Sequence, residues 1–166
     1  MAIYFLLDID FGTNVAEAEA ARRLIRACPP LRAGARQASL HDSLVGEGSR
    51  VTVVPRGVGY ALPVELAERT RRLDLTAEEL SALGWSLYDL LRQCTGYRLA
   101  AVGWELGEIW FENGELSPEY ADDLAAGGLP GLVVSDDVHR ALPRSTGFEP
   151  FEPGYQWMPY RGETST

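Results

Sequence analysis

Residues 3–9, with the sequence IYFLLDI, are the stretch from which the fold is most easily argued. This nearly unbroken apolar run is typical of a β-strand that is covered on both faces. Asn14 and Glu17 follow at the spacing of a capping box and predict a helix that reaches about Cys28. Its inward stripe is predicted to contain Val15, Ala18, Ala21, Ile25 and Cys28, while Arg22, Arg23 and Arg26 face water.

A second helix has the clearest signals in the chain. Thr76 and Glu79 form another capping box, and Gly96 is placed to close the helix. Between them, apolar residues recur at intervals of three and four, at Leu80, Leu83, Leu87, Leu90 and Cys94. Further strands are expected at residues 50–55, 97–104, 108–112 and 132–134, and shorter helices after Pro63, Ser117 and Ser135.

These elements predict one α+β domain over residues 1–166, with a mixed or antiparallel sheet packed with about four to five helices. Residues 31–49 contain Gly, Arg and Ser without a clear period, so we expect a flexible loop there. Residues 143–166 are rich in Pro, Gly and aromatic side chains, and we expect this tail to pack on the body of the domain.

Composition excludes several classes of protein. The chain has 166 residues, of which 46% are hydrophobic and 23% charged, as in ordinary soluble domains. A chain of this length buries about two thirds of its unfolded surface, so it can fold without disulfides. No apolar run approaches the roughly 18 residues that cross a bilayer, and we expect a cytoplasmic protein without a membrane partner. All 15 basic residues are arginine, which indicates a GC-rich bacterial genome.

Negative charge is concentrated in the second half of the chain. Residues 1–96 hold 12 acidic and 11 basic residues, whereas residues 97–166 hold 12 acidic and 4 basic. The second part also contains 10 of the 16 aromatic residues. Such a field repels phosphate backbones, so we expect no direct nucleic-acid binding and a basic protein as partner.

Aromatic residues among carboxylates are what a tight binder of a basic protein requires. Buried rings supply the apolar contact, and the acidic field accelerates encounter. We therefore predict a small immunity-type inhibitor that masks a basic partner such as a toxin nuclease. The alternative for this region is a solvated acidic surface without a partner. The candidate partner-binding residues are Trp104, Glu105, Glu108, Trp110, Glu112, Glu115, Glu119, Asp122 and Asp123.

An enzymatic alternative rests on two pairs of aspartates. Asp8 and Asp10 share one face at the carboxyl end of the first strand. They resemble the paired aspartates of the haloacid-dehalogenase phosphatases, one a nucleophile and the other a general acid. That resemblance implies magnesium-dependent phosphoryl transfer, with Asp136 and Asp137 as the metal-binding acids that lie later in the chain.

Other catalytic patterns are missing from the sequence. There is no GxSxG, HExxH or P-loop motif. Two cysteines, Cys28 and Cys94, and two histidines, His41 and His139, lack the spacing of a zinc site. We therefore expect no resident cofactor or metal and no catalytic residues, and we favour a binding protein over an enzyme.

Overall fold

The computed structural model describes residues 3–41, 48–60, 72–104, 110–112 and 115–164. The strands in these ranges are β1 Ile3–Asp10, β2 Leu31–Ala33, β3 Arg36–Ala38, β4 Arg50–Val53, β5 Gly59–Tyr60, β6 Leu99–Trp104, β7 Phe111–Glu112, β8 Glu115–Leu116, β9 Val133–Ser135, β10 Glu149–Glu152 and β11 Tyr155–Trp157. The α-helices there are α1 Val15–Arg26, α2 Ala77–Leu91, α3 Ala121–Ala126 and α4 Asp136–Ala141, and a 3-10 helix covers Pro118–Tyr120. The predicted α+β class is confirmed.

β1 lies inside an antiparallel sheet. In the described ranges the strand order is β10–β11–β9–β6–β1–β4, and β5 pairs with the first residues of β1. Leu7 stands opposite both Val53 of β4 and Val102 of β6, so β1 has a partner along each edge. Of the two sheet types that the sequence allowed, the antiparallel one is formed. β2 and β3 pair separately, as do β7 and β8.

Different helices cover the two faces of this sheet. Leu7 and Ile9 of β1 pack in the core cluster that contains the apolar faces of α1 and α2. Leu99 and Ala101 of β6 pack in a second cluster with residues of α3 and α4. Asp8 lies opposite Ala101 and is also fully buried. The prediction that the first strand is covered on both faces is therefore confirmed.

The first turn of α1 contains one half of the predicted capping box, since the Asn14 amide donates to the Phe11 carbonyl and not to Glu17. Asn14 Oδ1 accepts a hydrogen bond from the Glu17 amide at 3.3 Å. The Glu17 carboxylate accepts from the Thr95 hydroxyl at 3.2 Å, which joins α1 to the chain after α2. Ile25 is buried as predicted, but Val15, assigned to the inward stripe, is 52% exposed. The apolar face of α1 thus begins one turn later than the periodicity predicted.

Arg22 corrects the predicted polar face of α1. We expected it to face water, but it is 3% exposed. Its guanidinium donates to the carbonyl oxygens of Gly48 and Arg50 at 2.7 and 3.0 Å, and to the carboxylate of Glu19. A buried guanidinium requires such acceptors. They come from a segment about 26 residues away, which helical periodicity does not encode.

α2 follows the prediction closely. Both halves of its capping box form: Thr76 Oγ1 accepts from the Glu79 amide at 3.2 Å, and Glu79 accepts from the Thr76 amide at 2.9 Å. Leu83 and Leu87 are fully buried. Cys94, at the end of the predicted seam, is also buried, and this burial raises the pKa of its thiol to about 11.

Tyr88 of α2 joins the helix to two other parts of the chain. Its hydroxyl donates to the Gly131 carbonyl at 2.6 Å and accepts from the Val102 amide at 3.3 Å. Burial raises the pKa of this phenol above its usual range. The two hydrogen bonds satisfy a polar group that would otherwise destabilise the core.

Residues 31–41 are not the irregular loop that their composition predicted. β2 and β3 form a hairpin in which Leu31 is paired with Ala38, and both are buried. Gly34 takes the positive φ of 65° that the turn requires. Each strand has three residues, which is too short for alternation to show in the sequence. Of the rest of the predicted loop, residues 48–49 form a turn before β4, and residues 42–47 lie outside the described residues.

The C-terminal tail packs on the body, as expected, and also supplies two strands of the main sheet, β10 and β11. Phe151, Trp157 and Tyr160 are buried. Tyr160 crosses α2 at Gly84, where a Cβ atom would lie 2.5 Å from its hydroxyl oxygen. The glycine therefore allows the tail to approach the helix closely.

Three further predictions fall wholly or partly outside the described residues. The helix predicted after Pro63 lies in residues 61–71, outside the described residues. Of the strand predicted at residues 108–112, the structure describes Trp110, which is not in a strand, and the two residues of β7, and the predicted turn at Asn113 and Gly114 falls outside. Among the residues that the structure does describe, no helix combines the length and the apolar character needed to span a membrane.

Candidate partner-binding surface

Four of the predicted partner-binding acids lie on one short segment of the surface. Glu115 is in β8, Glu119 is in the 3-10 helix, and Asp122 and Asp123 are in the first turn of α3. All four are exposed, as their sequence context predicted. These four residues are called the acidic surface below.

Local sequence explains why this segment folds as it does. Pro118 occupies the start of the 3-10 helix, where its missing amide costs nothing. Asp122 and Asp123 lie at the amino end of α3, where the helix dipole favours negative charge. Gly127 ends α3 with a φ of 70°. Leu124 faces inward and is buried in the second core cluster, so the helix presents its carboxylates outward.

No member of the acidic surface takes part in an ion pair with another described residue. Other surface acids of the described chain differ, since Asp137 is paired with Arg140 and Asp89 lies 3.9 Å from Arg92. Four carboxylates on one short segment, without an ion pair to a described arginine, produce a local negative field.

The two predicted tryptophans lie on different faces of the sheet, because Trp110 belongs to the second core cluster and Trp104 packs against the first. Trp110 is 7% exposed and belongs to the second core cluster with Leu124. Its carbonyl accepts from the Ser117 amide at 2.8 Å, which holds the start of the acidic segment. Trp104 is half-buried, and its ring meets that of Phe5 edge-on with centroids 5.3 Å apart.

The three remaining candidate acids are Glu105, Glu108 and Glu112. Glu105 and Glu108 lie outside the described residues, and Glu112 is described only as part of β7. Partner binding by the nine-residue set therefore stays a prediction, and the geometry that bears on it is that of the acidic surface and of the two tryptophans.

Asp8, the first acid of the enzymatic alternative, forms a buried ion pair. Its side chain is 1% exposed and accepts from Arg50 through both carboxylate oxygens, with Nε at 2.9 Å from Oδ1. The Thr52 hydroxyl donates to Oδ1 at 3.2 Å. These contacts occupy the carboxylate with structural hydrogen bonds from β4, the neighbouring strand.

The other three aspartates also have local hydrogen-bonding roles. Asp10 Oδ1 accepts from the Gly12 amide at 2.7 Å in the turn after β1. Asp136 accepts from the Gln156 side chain at 3.2 Å, and Asp137 pairs with Arg140. No group of three or more His, Cys, Asp or Glu residues that could hold a metal ion is found in the described parts of the chain. The described geometry thus adds no support to the phosphoryl-transfer alternative.

An apolar cavity beside the acidic surface was not predicted from the sequence. Its volume is about 450 Å³, and it lies between α3 and the chain that follows α4. Its walls include Leu116, Tyr120, Leu124, Ala125 and Leu142, with Arg144 at its edge. The two contributing segments are about 20 residues apart in sequence. No motif marks the cavity, because its walls are ordinary apolar residues brought together by folding.

Comparisons of the chain with protein-family models, with curated proteins and with solved structures give no match. The protein is therefore characterised by its own geometry: an α+β domain with helices on both faces of an antiparallel sheet, an acidic surface, and an adjacent apolar cavity.

Proposed function

We propose that this protein binds a basic protein partner through the acidic surface and thereby masks that partner's basic site. The observation that carries the proposal is the set of four exposed carboxylates, Glu115, Glu119, Asp122 and Asp123, none of which forms an ion pair with a described arginine. Ion pairs between these carboxylates and arginines of the same chain would have weakened the negative electrostatic potential that a partner meets. Here the field is directed to solvent, where it steers a positively charged protein toward the surface.

The partner class follows from the electrostatics. A protein that holds nucleic acid needs a basic groove to bind phosphate. An acidic surface competes for that groove and excludes the nucleic acid. We therefore propose an immunity-type inhibitor, with a toxin nuclease as the most suitable kind of partner. Trp110 holds the acidic segment in place through its packing with Leu124 and its hydrogen bond from Ser117, so the charges are presented without a large entropic cost on binding.

The test begins with affinity capture of the partner from the native host and continues with association kinetics on the purified pair. Association should be fast at low ionic strength and slower at physiological ionic strength, where the Debye length falls from about 30 Å to about 8 Å. Asp122→Lys should slow association by about threefold or more at low ionic strength and flatten its salt dependence. If the partner is a nuclease, the wild-type protein should also inhibit its cleavage of nucleic acid.

Glu78→Lys is a matched control for Asp122→Lys. Both residues are exposed acids in the first turn of a helix, so the two variants change net charge and helix dipole alike. Glu78 is on α2, which packs on the opposite face of the sheet from α3. Equal association rates for wild type, Asp122→Lys and Glu78→Lys would contradict the proposal and leave the acidic surface with a role in solubility alone.

A further inference from the structure

The apolar cavity beside the acidic surface is open to solvent. Leu116, Tyr120 and Leu142 are partly buried and pack on the second core cluster, and Leu124 forms part of that cluster. The volume of about 450 Å³ lies within the range of about 300–1,000 Å³ that is typical of ligand sites in proteins. Water in such a cavity finds few hydrogen-bond partners, so an apolar group that displaces it gains free energy.

The charged side chains at the mouth of the cavity favour or disfavour particular residues next to a bound apolar group. Asp122 lines the cavity, and Glu119 lies between two lining residues, Pro118 and Tyr120. Both carboxylates are exposed and make no ion pair with a described residue. The chain after α4 contributes Arg144, which is exposed and likewise makes no ion pair among the described residues.

We infer that the cavity receives one large apolar side chain from a peptide segment of the basic partner, with lysine or arginine beside it on the side of α3. Arg144 disfavours a cation on the opposite side, so the segment carries an acidic or uncharged residue there. This inference rests on the proposed function and deepens it, because it names the kind of segment that the acidic surface recognises. The apolar side chain supplies slow dissociation, while the carboxylates supply fast association.

Two alanines of α3 allow a direct test. Ala121 and Ala125 both line the cavity and are four residues apart, so they share one face of the helix. Ala126 is exposed and does not line the cavity. Methionine at either lining position fills the cavity while keeping a good helix former, and Ala126→Met is the matched control. Circular dichroism and thermal melting establish that all three variants are folded.

The probe is a displayed library of random peptides selected on the wild-type protein. Enriched peptides should contain a Leu, Ile, Phe or Trp next to Lys or Arg. The most enriched peptide, made synthetically, should bind Ala125→Met and Ala121→Met at least about tenfold more weakly, because methionine occupies the space that the buried apolar side chain of the peptide requires. Ala126→Met should bind it as the wild type does, and Arg144→Glu should bind it more tightly because a competing cation is removed. An absence of enriched peptides, enrichment of acidic or purely polar peptides, or equal binding by Ala125→Met would overturn the inference.

The inference and the proposed function fail in distinguishable ways. With the captured partner, Ala125→Met should speed dissociation and leave association nearly unchanged, whereas Asp122→Lys should slow association. If only Asp122→Lys has its effect, the acidic surface binds the partner and the cavity does not. If neither variant differs from wild type, both proposals are wrong.

Discussion

The ion pair between Asp8 and Arg50 should respond very differently to the loss of one partner or the other. The Asp8 side chain is 1% exposed, whereas that of Arg50 is 34% exposed. Arg50→Ala leaves a carboxylate inside the protein without this cation. Asp8→Ala leaves a guanidinium that reaches water. We therefore expect Arg50→Ala to lower the free energy of unfolding more than Asp8→Ala does.

The contacts of Asp8 give the size of the difference. Removing one member of a buried ion pair costs about 3–5 kcal/mol. For Arg50→Ala we expect about 3 kcal/mol, the lower end, because the Thr52 hydroxyl still donates to Asp8 and water enters the space that the partly exposed arginine leaves. For Asp8→Ala we expect about 1–2 kcal/mol, since the remaining guanidinium is solvated and mainly charged hydrogen bonds are lost.

Urea denaturation followed by circular dichroism measures these free energies. The series contains wild type, both single variants, the double variant and Arg140→Ala, whose ion pair with Asp137 is exposed on both sides and should contribute no more than about 1 kcal/mol. The double variant should be more stable than Arg50→Ala, because it no longer contains the buried Asp8 carboxylate deprived of its arginine. The reasoning is refuted if Asp8→Ala costs as much as Arg50→Ala, or if the double variant is the least stable of the series.

Three further predictions concern the core. Leu87→Ala should cost about 2–5 kcal/mol because Leu87 is fully buried, whereas Glu78→Ala on the exposed side of the same helix should stay within about 0.5 kcal/mol; equal shifts in urea midpoint would show that the helix face is misassigned. Burial raises the pKa of Tyr88 above the 10.0 of a free phenol, so its contribution to stability is complete below pH 10 and is lost as the pH rises further; Tyr88→Phe should show a weaker loss of stability above that pH in parallel alkaline melts. At pH 8, a thiol reagent should modify half-buried Cys28 quickly and Cys94 only on unfolding, because Cys94 is buried with a pKa of about 11; equal rates would contradict its burial.

The elements that the sequence predicted best are those whose signals are complete within a few residues. The α2 capping box needs only Thr76 and Glu79, and its apolar seam has a regular spacing over 15 residues. β1 is recognisable because nearly every side chain in it is apolar, as two-sided cover requires. In each case the physical cause of the structure lies in neighbouring residues.

The elements that were predicted wrongly or missed depend on distant partners. Arg22 is buried because carbonyl groups at the start of β4 accept its hydrogen bonds. The β2–β3 hairpin packs against α2, and β11 is held by pairing with β9. Strands of three residues carry almost no pattern of their own, so their formation follows from the sheet or helix that receives them.

For the candidate site, the sequence by itself determined which stretch of the chain carries the excess of negative charge and that this stretch contains no arginine between Arg98 and Arg140, since both follow from counting residues. It also determined the exposure of Asp122 and Asp123, because carboxylates without partners are rarely buried. Only the tertiary structure decided that Trp110 is buried beneath them and that Leu142 and Arg144 meet α3 to form a cavity. The physical reason is that charge and helical period are properties of adjacent residues, whereas burial and cavities arise from packing between segments that are far apart in the chain.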